Sequence, residues 1–264
     1  MSERTWSRVR LGGGIVVMVL LVWRLGTGPF LDGLRTVDAT AVVAGLLIGV
    51  PTTVCCAWRW SLVARNRGHD LTPREAVISY YRSQFLNSTL PGGVLGDVHR
   101  ATRHGLGPVA LERLTGQGVQ LALTALALLL LPAPIHLPAP VLVVICVLGL
   151  LLLLHRPLLV LASTLAISGY VLTFVVAART SGVDASLPRL LPLALVVLVA
   201  MSIPANVAGW GPREGMAAWA FAASGLGASA GVSTAVVYGV MSLVATLPGA
   251  VVLLGDRRKE PVHA

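Results

Sequence analysis

Long apolar runs separated by short arginine-rich segments constrain this chain more than any other feature of its sequence. The runs occupy residues 11–25 (extending toward residue 31), 37–63, 111–131, 139–154, 158–178 and 231–254. A membrane-spanning helix needs about 20 apolar residues, so the first and fourth runs reach that length only with their flanking residues. Only 12% of the residues are charged, about half the fraction of a soluble domain. We expect one all-α polytopic transmembrane domain over residues 1–264.

Two regions, residues 77–103 and 190–224, interrupt this pattern. The first contains NSTLPGGVLGDVHRA at residues 87–101, and the second contains SIPANVAGWGPREG at residues 202–215. The apolar arms of the second region are each too short to cross a hydrocarbon layer of about 30 Å. Short helices can enter the membrane and return where the break between them faces protein or water. The sequence therefore predicts about six spanning helices plus two re-entrant helical hairpins.

The basic residues predict the orientation of the spans. Short loops rich in Lys and Arg stay in the cytoplasm, which places both chain ends and the arginines between residues 59 and 74 on the cytoplasmic side of the cytoplasmic (inner) membrane. With three spans and one hairpin in each half, the second half is inverted, as in inverted-repeat transporters. The expected repeats cover roughly residues 1–133 and 134–264. Aligning Pro91 with Pro204 also matches Gly96 with Gly209 and Arg100 with Arg213.

Several functional classes are disfavoured by composition and motifs. The net charge of +9 is spread between apolar runs and not gathered in a basic domain, so nucleic acid is not an expected partner. The three cysteines and six histidines show no metal-ligand spacing, and we expect neither a metal nor another cofactor. HExxH, P-loop and GxGxxG motifs are absent. A transporter is favoured over an enzyme, although an intramembrane enzyme acting on lipid phosphates stays open as an interpretation.

The polar residues of the two breaks predict an anion-binding site. Backbone amides exposed at membrane depth cost several kcal/mol each unless they are bound or hydrated, and helix N-termini attract anions. Arg100 and Arg213 add positive charge. A phosphate or carboxylate is therefore expected to bind both arginines, together with these residues in and before the breaks: Arg82, Gln84, Asn87, Gly92, Gly93, Gly209 and Gly211.

Acidic residues are expected to support the arginines. Asp97 is spaced to pair with Arg100 and Glu214 with Arg213, and either carboxylate could accept a coupling proton. An alternative interpretation treats both as structural ion pairs at the two membrane surfaces, where such pairs cost little.

Two further groups surround the first break. Glu112 opens the third span, where it could cap the helix or pair with Arg82. On a helix, Tyr80, Gln84 and Asn87 share one face through their spacing of four and three residues. That face could line a polar cavity or anchor the helix at the membrane interface.

These motifs resemble those of the family named for the transmembrane region of lysylphosphatidylglycerol synthase, also called flippase-like proteins. The first family signature is RW, then NxxLPGG, then GDxxR, and the sequence carries it at residues 59–60, 87–93 and 96–100. The pair Glu112-Arg113 also fits the family pattern. The second signature, PxxxxGxGxREG, is found at residues 204–215. Leu95 and Trp210 depart from the usual pattern, which affects substrate details more than fold.

The resemblance implies translocation of a phosphate-bearing lipid, either a phospholipid or a polyprenyl-phosphate-linked sugar. The soluble aminoacyl-transferase domain of the full synthase is not expected in this chain, so aminoacylation is not implied. An anionic membrane lipid is thus the expected partner, and self-association or association with a lipid-modifying enzyme is compatible with the sequence. The alternative function is that of a non-transporting partner or regulator of a lipid-modifying or glycosyl-transferring enzyme.

Overall fold

The computed structural model describes residues 15–90, 93–133, 138–202 and 210–257. All regular secondary structure in these residues is helical, which confirms the expected fold class. The helices of the described ranges are α1 (Ile15–Leu25), α2 (Gly28–Thr36), α3 (Ala39–Arg65), α4 (Pro73–Thr89), α5 (Leu95–His104), α6 (Leu106–Leu130), α7 (Ala139–His155), α8 (Pro157–Thr180), α9 (Leu187–Met201), α10 (Pro212–Ala223), α11 (Ala228–Thr246) and α12 (Pro248–Arg257).

Four helical segments of the described chain are long and apolar enough to cross a membrane: α3, α6, α8 and the stretch Ala228–Gly255 formed by α11 with α12. A fifth span is present if α1 and α2 count as one. The protein is therefore a multi-pass membrane protein. Helix α7 is apolar but has 17 residues, a rise of about 25 Å against a hydrocarbon layer of about 30 Å. The expected total of six spans stays a prediction.

The expected first span is bent. Helix α1 ends at Leu25, and the chain continues as α2 at an angle of 97°. Gly26 has a φ of 75°, a left-handed conformation that ends a helix and that glycine adopts at little cost. Pro29 then lies in the first turn of α2, where proline is well tolerated. The run does not extend as one straight helix toward residue 31, and residues 11–14 lie outside the described ranges.

Each of the two interrupted regions forms a pair of packed helices. Helix α4 contacts α5, and α9 contacts α10. Helix α4 begins at Pro73 because Thr72 and Glu75 form a capping box, in which the Glu75 carboxylate accepts a hydrogen bond from the Thr72 amide at 2.9 Å. Residues 91–92 and 203–209 of the two breaks lie outside the described ranges. Re-entry of these pairs into the bilayer and the inverted repeat over residues 1–133 and 134–264 stay predictions.

Helices α3, α8 and α11 pack against one another at the centre of the molecule. Small residues permit the approach: a Cβ added at Gly45 of α3 would lie 3.0 Å from the Met241 carbonyl oxygen of α11. The ring of Phe174 on α8 lies 6.2 Å from that of Phe221 on α10 and 5.9 Å from that of Tyr238 on α11, measured between centroids. These rings attach α10, which carries the second arginine motif, to the central helices.

Candidate functional site

The first hairpin closes where α5 crosses α4. A Cβ added at Gly96 would lie 2.0 Å from the Ser83 carbonyl oxygen, so the crossing requires glycine. Asn87 joins the two helices, because its Oδ1 accepts a hydrogen bond from the Gly96 amide at 2.8 Å and its Nδ2 donates to Asp97 Oδ2 at 3.1 Å. One amide in the first turn of α5 is therefore satisfied by the protein and is not free for an anion.

Glu112 on α6 is the centre of a buried ion network. Its Oε1 accepts hydrogen bonds from Nε of Arg59 at 2.8 Å and from Nη2 of the same guanidinium. Its Oε2 accepts from Arg100 Nη2 at 2.9 Å, and the Tyr80 hydroxyl donates to Oε1 at 3.4 Å. Since Arg59 lies on α3 and Arg100 on α5, this one carboxylate joins three helices through charge-assisted hydrogen bonds.

Arg100 lies between two aromatic rings. Its guanidinium carbon is 4.7 Å from the ring centroid of Trp60 and 4.7 Å from that of Tyr80, which is a cation–π geometry on both sides. The ion pair expected with Asp97 is present, with Arg100 Nη2 at 2.9 Å from Asp97 Oδ1. Only 1% of the Arg100 side chain is exposed, so this pair is buried in protein and is not a surface pair.

Asp97 accepts hydrogen bonds from three side chains and forms an ion pair with a fourth. Its Oδ1 accepts from Ser83 Oγ at 3.1 Å and from Arg100 Nη2 at 2.9 Å. Its Oδ2 accepts from Asn87 Nδ2 at 3.1 Å and forms an ion pair with Arg113, whose Nη2 lies 2.6 Å away. Arg113 differs from Arg100 in exposure, since 41% of its side chain is exposed. In the whole network three arginines face two carboxylates, for a net charge of +1: Arg59, Arg100 and Arg113 with Asp97 and Glu112.

The second hairpin carries an ion pair at the start of α10. Glu214 is fully buried, and its Oε1 accepts from Arg213 Nε at 2.8 Å, so the expected pair is present in a buried position. Glu214 Oε2 accepts from the Gly211 amide at 2.7 Å, which satisfies the N-terminus of α10. The Arg213 guanidinium carbon also lies 5.1 Å from the Trp210 ring centroid and 5.8 Å from that of Tyr238.

A cavity of about 250 Å³ with several polar side chains in its wall, the central cavity, lies between the two hairpins and is bounded by α8 and α11. Tyr80, Gln84 and Asn87 line it together from one face of α4. The first break contributes Gly93, with a φ of 61°. The charged side chains in its wall are Arg113 of α6 and Arg213 of α10.

A second cavity of about 340 Å³, the lateral chamber, lies between α5 and α6. Both cavities include Gly93, Arg113 and Met201 in their walls, so Arg113 stands at the boundary between them. Asp97 lies on the side of the lateral chamber. Two residues in the wall of the lateral chamber, Val98 and Leu106, are 53% and 73% exposed.

Comparison with known proteins now assigns a family. The model of the lysylphosphatidylglycerol synthase transmembrane region matches residues 9–158, which is more than half of the 264 residues. The chain belongs to this family. No curated protein matches the chain significantly, and no solved structure does so either. The match includes the first hairpin and the Glu112 network, whereas the second motif lies beyond residue 158.

The site residues that the sequence predicted occupy different places in the structure. Gln84, Asn87, Gly93 and Arg213 line the central cavity. Asp97 and Glu112 support arginines, as does Glu214, while Arg100 is packed behind the cavity wall. Arg82 is buried on the face of α4 opposite Tyr80 and Gln84. Gly211 forms the turn before α10, and Gly92 and Gly209 lie outside the described ranges.

Sequence reasoning missed four residues of the site. Arg113 lines the central cavity. The sequence placed it with Glu112 at the start of the third span, as a cap or in a pair with Arg82, and in the family pattern. Arg59 was grouped with cytoplasmic charges although it pairs with Glu112. A Cβ at Gly116 would lie 2.6 Å from Arg59 Nη1, and one at Gly239 would lie 2.3 Å from Arg213 Nη2. Both glycines make room for a guanidinium that lies on another helix. The pattern of one helix does not indicate which residues of another helix it meets.

One catalytic-type pattern also occurs in the chain. Gly227–Gly231 reads G-x-S-x-G, but it begins α11 after another helix, whereas a nucleophile elbow joins a strand to a helix. Within the described residues no group of three or more His, Cys, Asp or Glu side chains is placed to hold a metal ion.

His104, the last residue of α5, lies beside the ion network. The His104 ring packs edge-on against Trp60 with centroids 5.0 Å apart. Burial lowers the pKa of His104, and the neighbouring His69, Arg100 and Arg103 lower it further. The imidazole is therefore favoured in its neutral form beside the Trp60–Arg100 stack.

Proposed function

We propose that the protein is a flippase-like carrier that moves a phosphate-bearing lipid, either a phospholipid or a polyprenyl-phosphate-linked sugar, across the membrane. The observation that carries the proposal is that two arginines from separate helices, Arg113 and Arg213, line one cavity between the hairpins. Guanidinium groups bind phosphate through paired N–H donors in a planar fork. An anionic lipid headgroup is therefore the ligand whose chemistry fits this cavity, and no chemical step is assigned to the protein.

The rest of the lining supports a headgroup and not a whole lipid. Tyr80, Gln84 and Ser88 add neutral hydrogen-bonding groups beside the two arginines. The volume of about 250 Å³ is just below the range of about 300–1,000 Å³ for pockets that enclose drug-sized ligands. Such a cavity holds a phosphate with a small substituent, while the acyl or polyprenyl chains stay in the bilayer.

The counter-ions of the two arginines also fit a site that alternates between empty and occupied. An arginine at membrane depth costs roughly 3 kcal/mol or more and is seldom left without a partner. Glu214 contacts Arg213, and Asp97 contacts Arg113. Each arginine therefore stays compensated when no lipid is bound.

We also propose that the protein lies in the cytoplasmic membrane with both chain ends in the cytoplasm. The support is the exposed basic group around the α3–α4 loop and the end of α5: Arg65, Arg67, Arg74 and Arg103. Short basic loops of this kind stay on the cytoplasmic side. Arg59 is excluded from the group because its charge is buried against Glu112.

The test measures lipid movement by purified protein in proteoliposomes that contain fluorescent phosphatidylglycerol. The measured quantity is the fraction of the fluorescent lipid that an impermeant quencher reaches over time. The variant is Arg213→Gln combined with Glu214→Gln, which removes both charges together and avoids leaving a buried carboxylate unpaired. The matched control is Arg35→Gln combined with Asp32→Asn, because that pair on α2 is exposed, with 76% and 66% of the side chains accessible.

We expect the wild-type protein and the α2 control to move the lipid, and the α10 variant to lose at least 90% of the rate, roughly the tenfold effect of 1.4 kcal/mol. Equal rates for the α10 variant and the control would remove Arg213 from the mechanism. No movement by the wild-type protein would refute the carrier proposal and favour a non-transporting partner or regulator of a lipid-modifying or glycosyl-transferring enzyme.

A further inference from the structure

Arg113 lies between two anionic partners: the carboxylate of Asp97 and the phosphate of the proposed lipid. On the side of the lateral chamber its Nη2 contacts Asp97 Oδ2 at 2.6 Å. On the other side its guanidinium faces the central cavity. Resting on the proposed function, we propose that Asp97 competes with the lipid phosphate for Arg113, holding the arginine back when the cavity is empty and releasing it when a phosphate arrives.

Asp97 can release Arg113 without being left unsatisfied. After the release, Oδ1 still accepts hydrogen bonds from Ser83 and Arg100, and Oδ2 still accepts one from Asn87. A largely buried carboxylate that keeps three donors, one of them charged, stays satisfied in its hydrogen bonding. The cost of breaking the pair therefore falls on the Asp97–Arg113 contact alone.

The charges of the network also balance only after Arg113 has left. Two arginines then face two carboxylates: Arg59 and Arg100 with Asp97 and Glu112. With Arg113 included the network carries one extra positive charge. The surplus charge therefore belongs to the one arginine that can reach the central cavity, and it is complementary to a phosphate.

Arg113 is also the most exposed cation of the network. Its side chain is 41% exposed, whereas those of Arg59 and Arg100 are 8% and 1% exposed. Trp60 and Tyr80 enclose Arg100 on both faces. Among the described residues the buried Nε of Arg113 has no hydrogen-bond partner, so the guanidinium has donor capacity that Asp97 does not use.

The experiment measures binding and not movement. Purified wild-type protein and the Asp97→Asn variant are titrated calorimetrically in detergent with water-soluble dihexanoyl phosphatidylglycerol and, separately, with inorganic phosphate. A partly exposed ion pair of this kind contributes up to about 1 kcal/mol, so its loss should tighten phosphate-lipid binding by up to about fivefold. The matched control is Asp32→Asn, on the exposed α2 pair, for which the dissociation constant should not change.

The proposed competition predicts that Asp97→Asn binds the phosphate lipid more tightly only while Arg113 is present. Tighter binding in Asp97→Asn, abolished when Arg113→Gln is added, supports it. Tighter binding of inorganic phosphate but not of the lipid identifies free phosphate as the competing anion.

Unchanged or weaker binding in a folded Asp97→Asn protein overturns the competition while leaving the carrier proposal intact. If the wild-type protein neither binds nor moves the lipid, both fail. A variant with a lowered melting temperature is replaced by Ser83→Ala, which removes one donor from Asp97 without changing charge. Asp97 then holds Arg113 more tightly, so phosphate-lipid binding should weaken, and tighter binding would overturn the competition.

Discussion

Replacing Glu112 with glutamine should destabilise the protein more than any other change of one carboxylate to an amide. The side chain is fully buried and contacts two guanidinium groups, those of Arg59 and Arg100. Breaking a buried ion pair by removing one charge costs about 3–5 kcal/mol, because the partner is left uncompensated. Arg100 keeps Asp97 at 2.9 Å, whereas Arg59 loses the carboxylate that it contacts. The expected loss is therefore near the lower limit, about 3 kcal/mol.

The free energy of unfolding is measured in mixed micelles with an increasing fraction of dodecyl sulfate, followed by tryptophan fluorescence. Trp60 packs on Arg100 and reports on the network directly. The matched control is Asp184→Asn, since Asp184 is exposed and its pair with Arg179, at 3.3 Å, is also exposed. A surface pair of this kind contributes little to stability.

Two results would refute this reasoning. The first is a Glu112→Gln protein as stable as the Asp184→Asn control, which would mean that the guanidiniums are hydrated and not buried against protein. The second is additivity in the double variant Arg59→Gln with Glu112→Gln. If the contact is real, removing both charges should cost less than the sum of the two single losses.

The remaining predictions concern local structure. Gly96→Ala should lower the free energy of unfolding by about 1–3 kcal/mol or more, because the new Cβ would meet the Ser83 carbonyl oxygen at 2.0 Å; Gly107→Ala, whose Cβ would have its nearest neighbour at 3.8 Å, should not. The pKa of Glu75 is lowered by hydrogen bonds from Thr72. The cap therefore stabilises the protein above the ordinary glutamate pKa and is lost as the pH falls through the folded-state value. Melting temperatures between pH 7 and pH 3 should fall less in Glu75→Gln; equal slopes would contradict this.

The sequence contained the fold class and the positions of the long helices. Apolar runs at 37–63 and 158–178 correspond to α3 and α8 within a few residues, because length and hydropathy alone decide whether a helix can cross a bilayer. The bend after α1 was not predicted, since a single positive φ at Gly26 determines it. The conformation of a single residue does not change the hydrophobic pattern from which the spans were predicted.

The candidate site was predictable in its parts but not in its pairings. The pairs of Asp97 with Arg100 and of Glu214 with Arg213 are local in sequence, and spacing was sufficient to find them. The contact of Arg59 with Glu112 joins residues 53 positions apart. Helical periodicity says which residues share a face of one helix, but it does not say which faces meet. Arg100 was therefore expected to face the ligand site, whereas Arg113 is the arginine of this network that lines the central cavity.

The glycines opposite the guanidiniums have a consequence for how this sequence can change over time. Gly116 and Arg59 occupy one shared volume, as do Gly239 and Arg213. A shorter side chain in place of either arginine opens a void, and a methyl group in place of either glycine creates a clash, so each first step is unfavourable. Only a simultaneous exchange keeps the packing intact. Related chains are therefore expected to vary at 59 with 116, and at 213 with 239, as coupled pairs and not position by position.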